Sequence, residues 1–333
     1  MPVCDHYCGV ASRMRKSLDL QAAMSEEFGA CVFDVTLDCE DGAPIGGEKD
    51  HAMQVAALAQ EAHARASHRG LAARVAVRVH AVDHPAFEED VALIVGQAAQ
   101  ALCHVMIPKV ESPADVRRAA AWVAQCAAQA GRKSALPLHV LVESSRAVHQ
   151  VFDIAAQPEV ASVSFGLMDF VSSHAGAIGA SALLVADDPS QHQWGQFSHP
   201  LVLRAKLEIA AACHAHGKVA SHSVVTELND TNSVRQAAQK AHRALGYLRM
   251  WSIHPSQIRP ILAAFAPAAQ DIAQATAIIT AAMQQDWAPI SWGGQLHDRA
   301  SYRYYWQLLE RAHQTGQTLP DAAQGFFGHA TAH

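Results

Sequence analysis

The chain has 333 residues, a formal charge of −6, half its residues hydrophobic and 17% charged, the makeup of a globular protein with a substantial core. A negative balance with no Lys/Arg-rich run argues against nucleic acid as a partner, and no apolar stretch is long enough to span a bilayer, which argues against a membrane-embedded protein. The segment MPVCDHYCGVASRMRK lacks the apolar core of a secretory signal, and the seven cysteines are scattered without paired spacing, so reduced thiols and a cytoplasmic location are expected. Cys4 and Cys8 have no second pair at zinc spacing.

In chain order, HYCGVA is a faint first strand signal. After it come ACVFDVTL, RVAVRVH, CHVMIPK, LHVLVE, ASVSFG, KVASHSV and YLRMWSIH, short β-branched runs of strand length. Alanine-rich stretches with helical spacing lie between them, such as HAMQVAALAQEAHARASHRG and ADVRRAAAWVAQCAAQAGRK. Runs that read as apolar on both faces and alternate with helices predict a parallel sheet. Seven or eight such units, with no glycine fingerprint after the first strand, predict a closed (β/α)8 TIM barrel over residues 1–262. The polar stretch ADDPSQHQWGQFSHP (Ala186 to Pro200) is expected to be a loop over one mouth of the barrel. Residues 263–333 read as a C-terminal helical lid or oligomerisation segment: an apolar helix pair broken at Pro267, then APISWGGQLHDRA, then the amphipathic SYRYYWQLLERAHQ.

In a barrel of this kind the chemistry sits at the C-terminal ends of the strands. Those ends carry Asp38, Glu40 and Asp41 in VTLDCEDGAP; Arg78 and His80; Lys109 and Glu111; Glu143 and Arg146; Asp169; His222; and His254. Crowded carboxylates with no cysteine or paired-histidine motif suit a hard cation, with Mg²⁺ the default. Glu143 and Asp169, from consecutive strands, are the candidate metal ligands. Glu40 and Asp41 are candidates to hold water on the ion, and Arg78 to bind an anion. Bland readings compete: Glu143 paired with Arg146, Asp169 capping the next helix, and Lys109 paired with Glu111 at a strand end.

Seven stretches, in order, make the chain resemble the citrate lyase β-subunit-like family within the HpcH/HpaI aldolase group: LDCEDGA, VRVH, MIPKVESPADV, LVESSRAV, SFGLMDF, WSIHPSQI and GGQLHDRASYRYYWQLLERA. The resemblance implies a Mg²⁺-dependent carbon–carbon lyase, trimeric or hexameric. Such an enzyme splits a 3-hydroxy-carboxyacyl thioester, carried on CoA or a carrier protein, into an acyl thioester and a 2-oxo acid. It also implies metal ligation by Glu143 and Asp169, substrate binding by Arg78 and Glu143, and catalytic support from Glu40 and Asp41. Asp298 becomes the acid–base residue, reaching a neighbouring subunit's site, although an N-cap of the last helix explains it equally simply. His80 and Met168 stand where the family usually has Asn and Glu. A pyruvate-type class II aldolase acting on free 2-oxo acids, and a barrel kept only as a non-catalytic subunit, are the rival readings.

Overall fold

The computed structural model describes residues 1–42, 45–228 and 230–327, so Ala43 and Pro44 of the acidic stretch lie outside it. Strands and helices alternate from the start: β1 (Cys4–Cys8), α1 (Ala11–Phe28), β2 (Phe33–Asp38), α2 (Glu48–His68), β3 (Val75–Arg78) and α3 (Phe87–Ala98). The rhythm continues with β4 (Leu102–Ile107), α4 (Pro113–Gln129), β5 (Leu138–Val142) and the short α5 (Ser145–His149) and α6 (Val151–Ala155). Next come β6 (Val160–Phe165), α7 (Leu167–Ser172), α8 (Pro200–Ala215), β7 (Val219–His222), α9 (Thr231–Leu245) and β8 (Arg249–Ser252). All eight strands are parallel neighbours in chain order, and Cys4 of β1 pairs with Met250 of β8 to close the barrel. The (β/α)8 fold read from the sequence is the fold that forms, and His6–Cys8 of the faint HYCGVA signal lie in its first strand.

The helices seat where small side chains allow close approach: Ala52, Ala56, Ala59 and Ala62 line the buried side of α2. Local chemistry sets their ends. Ser112 accepts a hydrogen bond from Asp115 N at the start of α4, with Pro113 in the first turn.

The strands depart from the expectation in one respect. Their outward faces are apolar, but every second residue turns inward and many of these are polar, among them Asp5, Thr36, His139, Ser164 and Arg249. A narrow barrel tolerates this because inward groups from different strands find one another. Thr36 Oγ1 donates to Asp5 Oδ1 at 2.7 Å, and His139 lies 2.6 and 2.7 Å from the hydroxyls of Ser162 and Ser164.

The 186–200 stretch lines neither of the two cavities that Glu143 and Asp169 share. It is pinned to the outer wall, where the fully buried Lys206 Nζ donates to Gln196 Oε1 at 2.7 Å and sits 4.0 Å from the Phe197 ring centre. A buried ammonium needs an acceptor, and this loop supplies it.

Beyond the barrel, α10 (Ile258–Phe265) packs into the main core. Then follow α11 (Ala269–Gln284), a hairpin of β9 (Ile290–Trp292) and β10 (Gln295–His297), α12 (Arg299–Gln314) and the single turn α13 (Asp321–Gln324). These have a separate hydrophobic cluster that includes Ile272, Ile279, Leu309 and Leu319. The end of α12 meets the barrel where the strands begin: Arg311 lies 2.7 Å from His242 in the last turn of α9, and Gly316 abuts Phe28 at the end of α1. No single helix among the described residues is long and apolar enough to cross a membrane.

Candidate metal and substrate site

Asp38 ends β2 and pairs in register with Arg78, the last residue of β3. Arg78 Nε donates to Asp38 Oδ1 at 2.6 Å and Nη2 to Oδ2 at 2.9 Å, a two-pronged fit that fixes the guanidinium plane. Asp38 also accepts from the backbone of Glu40 (3.0 Å) and Gly42 (2.7 Å), so one carboxylate folds the acidic loop back over the arginine. Arg78 is almost fully buried, with Glu40 Oε2 2.9 Å from its Nη1 and the Tyr7 ring centre 4.7 Å from its Cζ. Burial alone would favour its neutral form, but Asp38 outweighs it and holds the pKa above its usual value.

Lys109, just beyond β4, adopts a left-handed backbone (φ 51°), which is strained for a residue with a side chain. Three contacts hold it there. Its Nζ lies 2.5 Å from Glu40 Oε1 and 3.4 Å from Asp41 Oδ1, and its backbone N donates to Glu143 Oε2 at 3.1 Å. Glu40 is held above the ordinary carboxylate range by burial, against the pull of Arg78 and Lys109.

Glu143 follows β5 directly and is 5% exposed. Burial first, and the charge of Asp169 second, push its pKa up to about 8. Gly166, at the end of β6, makes room for it, since a Cβ there would fall 2.5 Å from Glu143 Oε1. Asp169 lies in the first turn of α7, is partly exposed and makes no capping hydrogen bond.

Glu143 and Asp169 both line two cavities at this mouth. One, of about 470 Å³, also takes in Tyr7, Asp41, Arg78, Met168 and Trp251. The other, of about 370 Å³, includes Lys109 and Glu111. The mouth thus gathers Arg78, Glu40, Asp41, Glu143 and Asp169 with Asp38 and Lys109, all residues read at strand ends, and shows Asp38 to be the partner of Arg78 and Glu40 that of Lys109.

Three bland readings fail. Lys109 pairs with Glu40 and Asp41, while Glu111 accepts instead from Ser144 Oγ at 2.8 Å. The strained turn at Lys109 carries its side chain across to the β2 loop. Arg146 is exposed on α5, and Glu143 is engaged by Lys109 N instead. Asp169 caps nothing.

Asp298 is different. It is exposed and N-caps α12, its Oδ1 accepting from Ala300 N (3.0 Å) and Ser301 N (3.4 Å) while Ser301 Oγ accepts from Asp298 N. It belongs to the wall of neither cavity. Within one chain it does not join the site.

Sequence reasoning missed Asp38 as the partner of Arg78, and Tyr7 and Trp251 as walls. The period-two series Asp34, Thr36, Asp38 on β2 was the available signal, since Asp38 must face the same way as the inward residues before it.

Carboxylates from three βα units, with Asp38, Glu40, Asp41, Glu143 and Asp169 standing against only Arg78 and Lys109, suit a hard divalent cation. Two other clusters converge deep in the barrel, Asp5–His104–His139 and Asp34–Cys103–His104, each within 4.8 Å. Their acids already pair with Arg249, at 2.8 Å for Asp5 and 2.6 Å for Asp34, so we read them as structural.

Fold and site together define a parallel α/β barrel with an acid-rich, arginine-bearing mouth. The chain belongs to the HpcH/HpaI aldolase/citrate lyase family, matched over residues 18–255. An L-malyl-CoA/β-methylmalyl-CoA lyase of Rhodobacter capsulatus is 29% identical over 246 residues, which cover 72% of this chain and 76% of that protein. The namesake from Cereibacter sphaeroides matches over only 65% of its own length and 62% of this chain, also at 29% identity. A citrate lyase subunit β-like protein of Deinococcus radiodurans is 30% identical over 79% of this chain and 84% of that protein. Among solved structures, a citrate lyase from Burkholderia xenovorans shares 46% identity with a TM-score of 0.80, covering 98% of this chain and 96% of that one. Protein CitE of Mycobacterium tuberculosis, solved with magnesium, acetoacetate and coenzyme A, shares the fold at 19% identity and a TM-score of 0.62, over 93% and 98% of the two chains.

Proposed function

We propose that this protein is a Mg²⁺-dependent carbon–carbon lyase. It cleaves, or in reverse forms, a 3-hydroxy-carboxyacyl thioester such as malyl-, citramalyl- or citryl-CoA, the partner products being an acyl thioester and a 2-oxo acid. The carrying observation is the uncompensated charge at the mouth: Glu143, raised to about 8 by burial and by Asp169, faces a cavity with too few cations to match its acids. Relatives named as CoA-ester lyases support the thioester class over free 2-oxo acids.

Glu143 and Asp169 would hold the ion. When bound, Mg²⁺ supplies Lewis acidity toward the hydroxyl and carboxylate oxygens of the substrate. Arg78, locked by Asp38, binds the same carboxylate and offsets charge that develops on the oxo-acid side. Glu40 and Asp41 anchor Lys109 and Arg78, Glu40 from a buried position and Asp41 from the solvent side. As the hydroxyl passes its proton to solvent water at the mouth, the carbon–carbon bond breaks and its electron pair passes to the thioester enolate. Asp298 of a second copy protonates that enolate carbon, or removes a proton from it in the condensing direction. The exposed Trp292 and Leu296 on the hairpin just before Asp298 are suited to docking on another copy, in keeping with a homotrimer or homohexamer.

Asp298→Asn provides the test, because asparagine caps a helix as well as aspartate does. Turnover of malyl-CoA or citramalyl-CoA is expected to fall by roughly 10²- to 10⁴-fold with the melting temperature and Mg²⁺ affinity unchanged. Full activity in that variant would end the acid–base assignment, and full activity after removal of divalent ions would end the metal mechanism.

A further inference from the structure

The cavity that holds Glu143, Asp169 and Arg78 has a second, apolar character beside those charges. Its inner wall is made by Tyr7, Val224, Trp251 and Ile253, and beneath them Val224 and Trp251 form a buried cluster with Met106 and Leu141. Arg78 is the one cationic side chain in this wall among the described residues. It is shared by Asp38, Glu40 and, in the lyase reading, the first carboxylate of the substrate, and Lys109 lines only the neighbouring cavity.

This inference rests on the lyase reading above and narrows its substrate. In that reading the carboxylate and C2 oxygen of the 2-oxo acid are taken at the rim, by the ion on Glu143 and Asp169 and by Arg78. The thioester with its long carrier must run outward to solvent. The remaining substituent on C2 is then left to face inward, onto Val224, Trp251 and Ile253. We propose that this apolar floor selects a 2-oxo acid with a short uncharged alkyl group on C2, so that the thioester cleaved carries that alkyl group on its hydroxyl-bearing carbon.

Both alternatives fit worse for stated reasons. A second carboxylate, as on oxaloacetate, would be buried with no free cation, beside Glu143 and Asp169. A bare hydrogen, as on glyoxylate, would leave the floor uncovered and forgo burial worth roughly three- to five-fold in affinity per carbon.

The experiment is calorimetric binding of glyoxylate, pyruvate, 2-oxobutyrate and oxaloacetate to the full-length protein in Mg²⁺. Pyruvate and 2-oxobutyrate are expected to bind more tightly than glyoxylate by roughly three- to five-fold per carbon, and oxaloacetate at least about ten-fold more weakly than pyruvate. Oxaloacetate or glyoxylate binding as tightly as pyruvate would overturn the inference while leaving the lyase reading intact. No Mg²⁺-dependent binding of any of the four would overturn both. A second arm uses Ile253→Arg, which adds a cation to the floor. It is expected to reverse the order of pyruvate and oxaloacetate, and Ile253→Ala to shrink the preference for 2-oxobutyrate over glyoxylate. An order unchanged in both folded variants would also overturn the inference.

Discussion

The two ends of the barrel use the same residue types to opposite effect. Where the strands begin, Asp5 and Asp34 are buried and meet Arg249 and Arg74: Asp34 lies 2.6 Å from Arg249 Nη1 and 2.5 Å from Arg74 Nε. Two acids face two arginines, and although burial alone would raise its pKa, Arg74 and Arg249 hold Asp34 well below the usual carboxylate range. Where the strands end, carboxylates outnumber cations and Glu143 is pushed the other way. The lower end is electrically complete and acts as a lock between β1, β2 and β8. The upper end is left short of positive charge, as the proposed divalent-cation site requires.

That contrast can be broken or sharpened, starting where the effect is largest. Glu143→Ala is expected to lower kcat by roughly 10³-fold and to abolish Mg²⁺ binding by calorimetry, while the melting temperature of the metal-free protein holds or rises. Arg249→Met should instead unfold the protein more readily, by about 3–5 kcal/mol in urea titrations, because it strands Asp5 as a buried unpaired charge and leaves Asp34 with Arg74 alone. Equal stability of that variant would show that the lower end is not a lock. Asp38→Asn frees the guanidinium of Arg78 without emptying the site, so kcat/KM is expected to drop by about 10²-fold with Mg²⁺ affinity little altered.

The smallest effect is a pair of opposed pH slopes. Burial lowers His104 from 6.5 to about 4, so the unfolded chain takes up a proton that the folded chain refuses, and stability is lost as pH falls from about 6.5 to about 4. Glu143 does the reverse: the folded, metal-free protein keeps a proton up to about 8 that the unfolded chain releases near 4.5, so stability is lost as pH rises between them. Melting curves without Mg²⁺ should therefore decline from about pH 6.5 to 8, by up to about 1.4 kcal/mol per unit, and Glu143→Gln should flatten that decline. An unchanged slope in the variant would assign it to another group.

Much of this was open to reading in the linear chain. Alternating strand and helix periods, alanine-rich helices and polar residues at strand ends led to the barrel, and Glu40, Asp41, Arg78, Glu143 and Asp169 were legible as its mouth. One misreading and one omission share a cause. The runs taken as apolar on both faces hide inward groups such as His139 and Thr36, because a polar side chain is tolerated there only by partners far along the chain, 25 residues for His139 and Ser164. The anchoring of the 186–200 stretch was hidden likewise, since nothing local announces that Lys206 will be buried and claim Gln196.

The sequence by itself determined the kind of barrel and which side chains reach its rim, since both follow from period and from position at a strand end, which are local properties. Only the tertiary structure decided which acids are matched and which are left over. Register places Asp38 beside Arg78, a strained turn sends Lys109 to Glu40, and burial leaves Glu143 facing Asp169. Coulomb energy depends on separation in space and on the water removed around each charge, and neither is written in the order of residues.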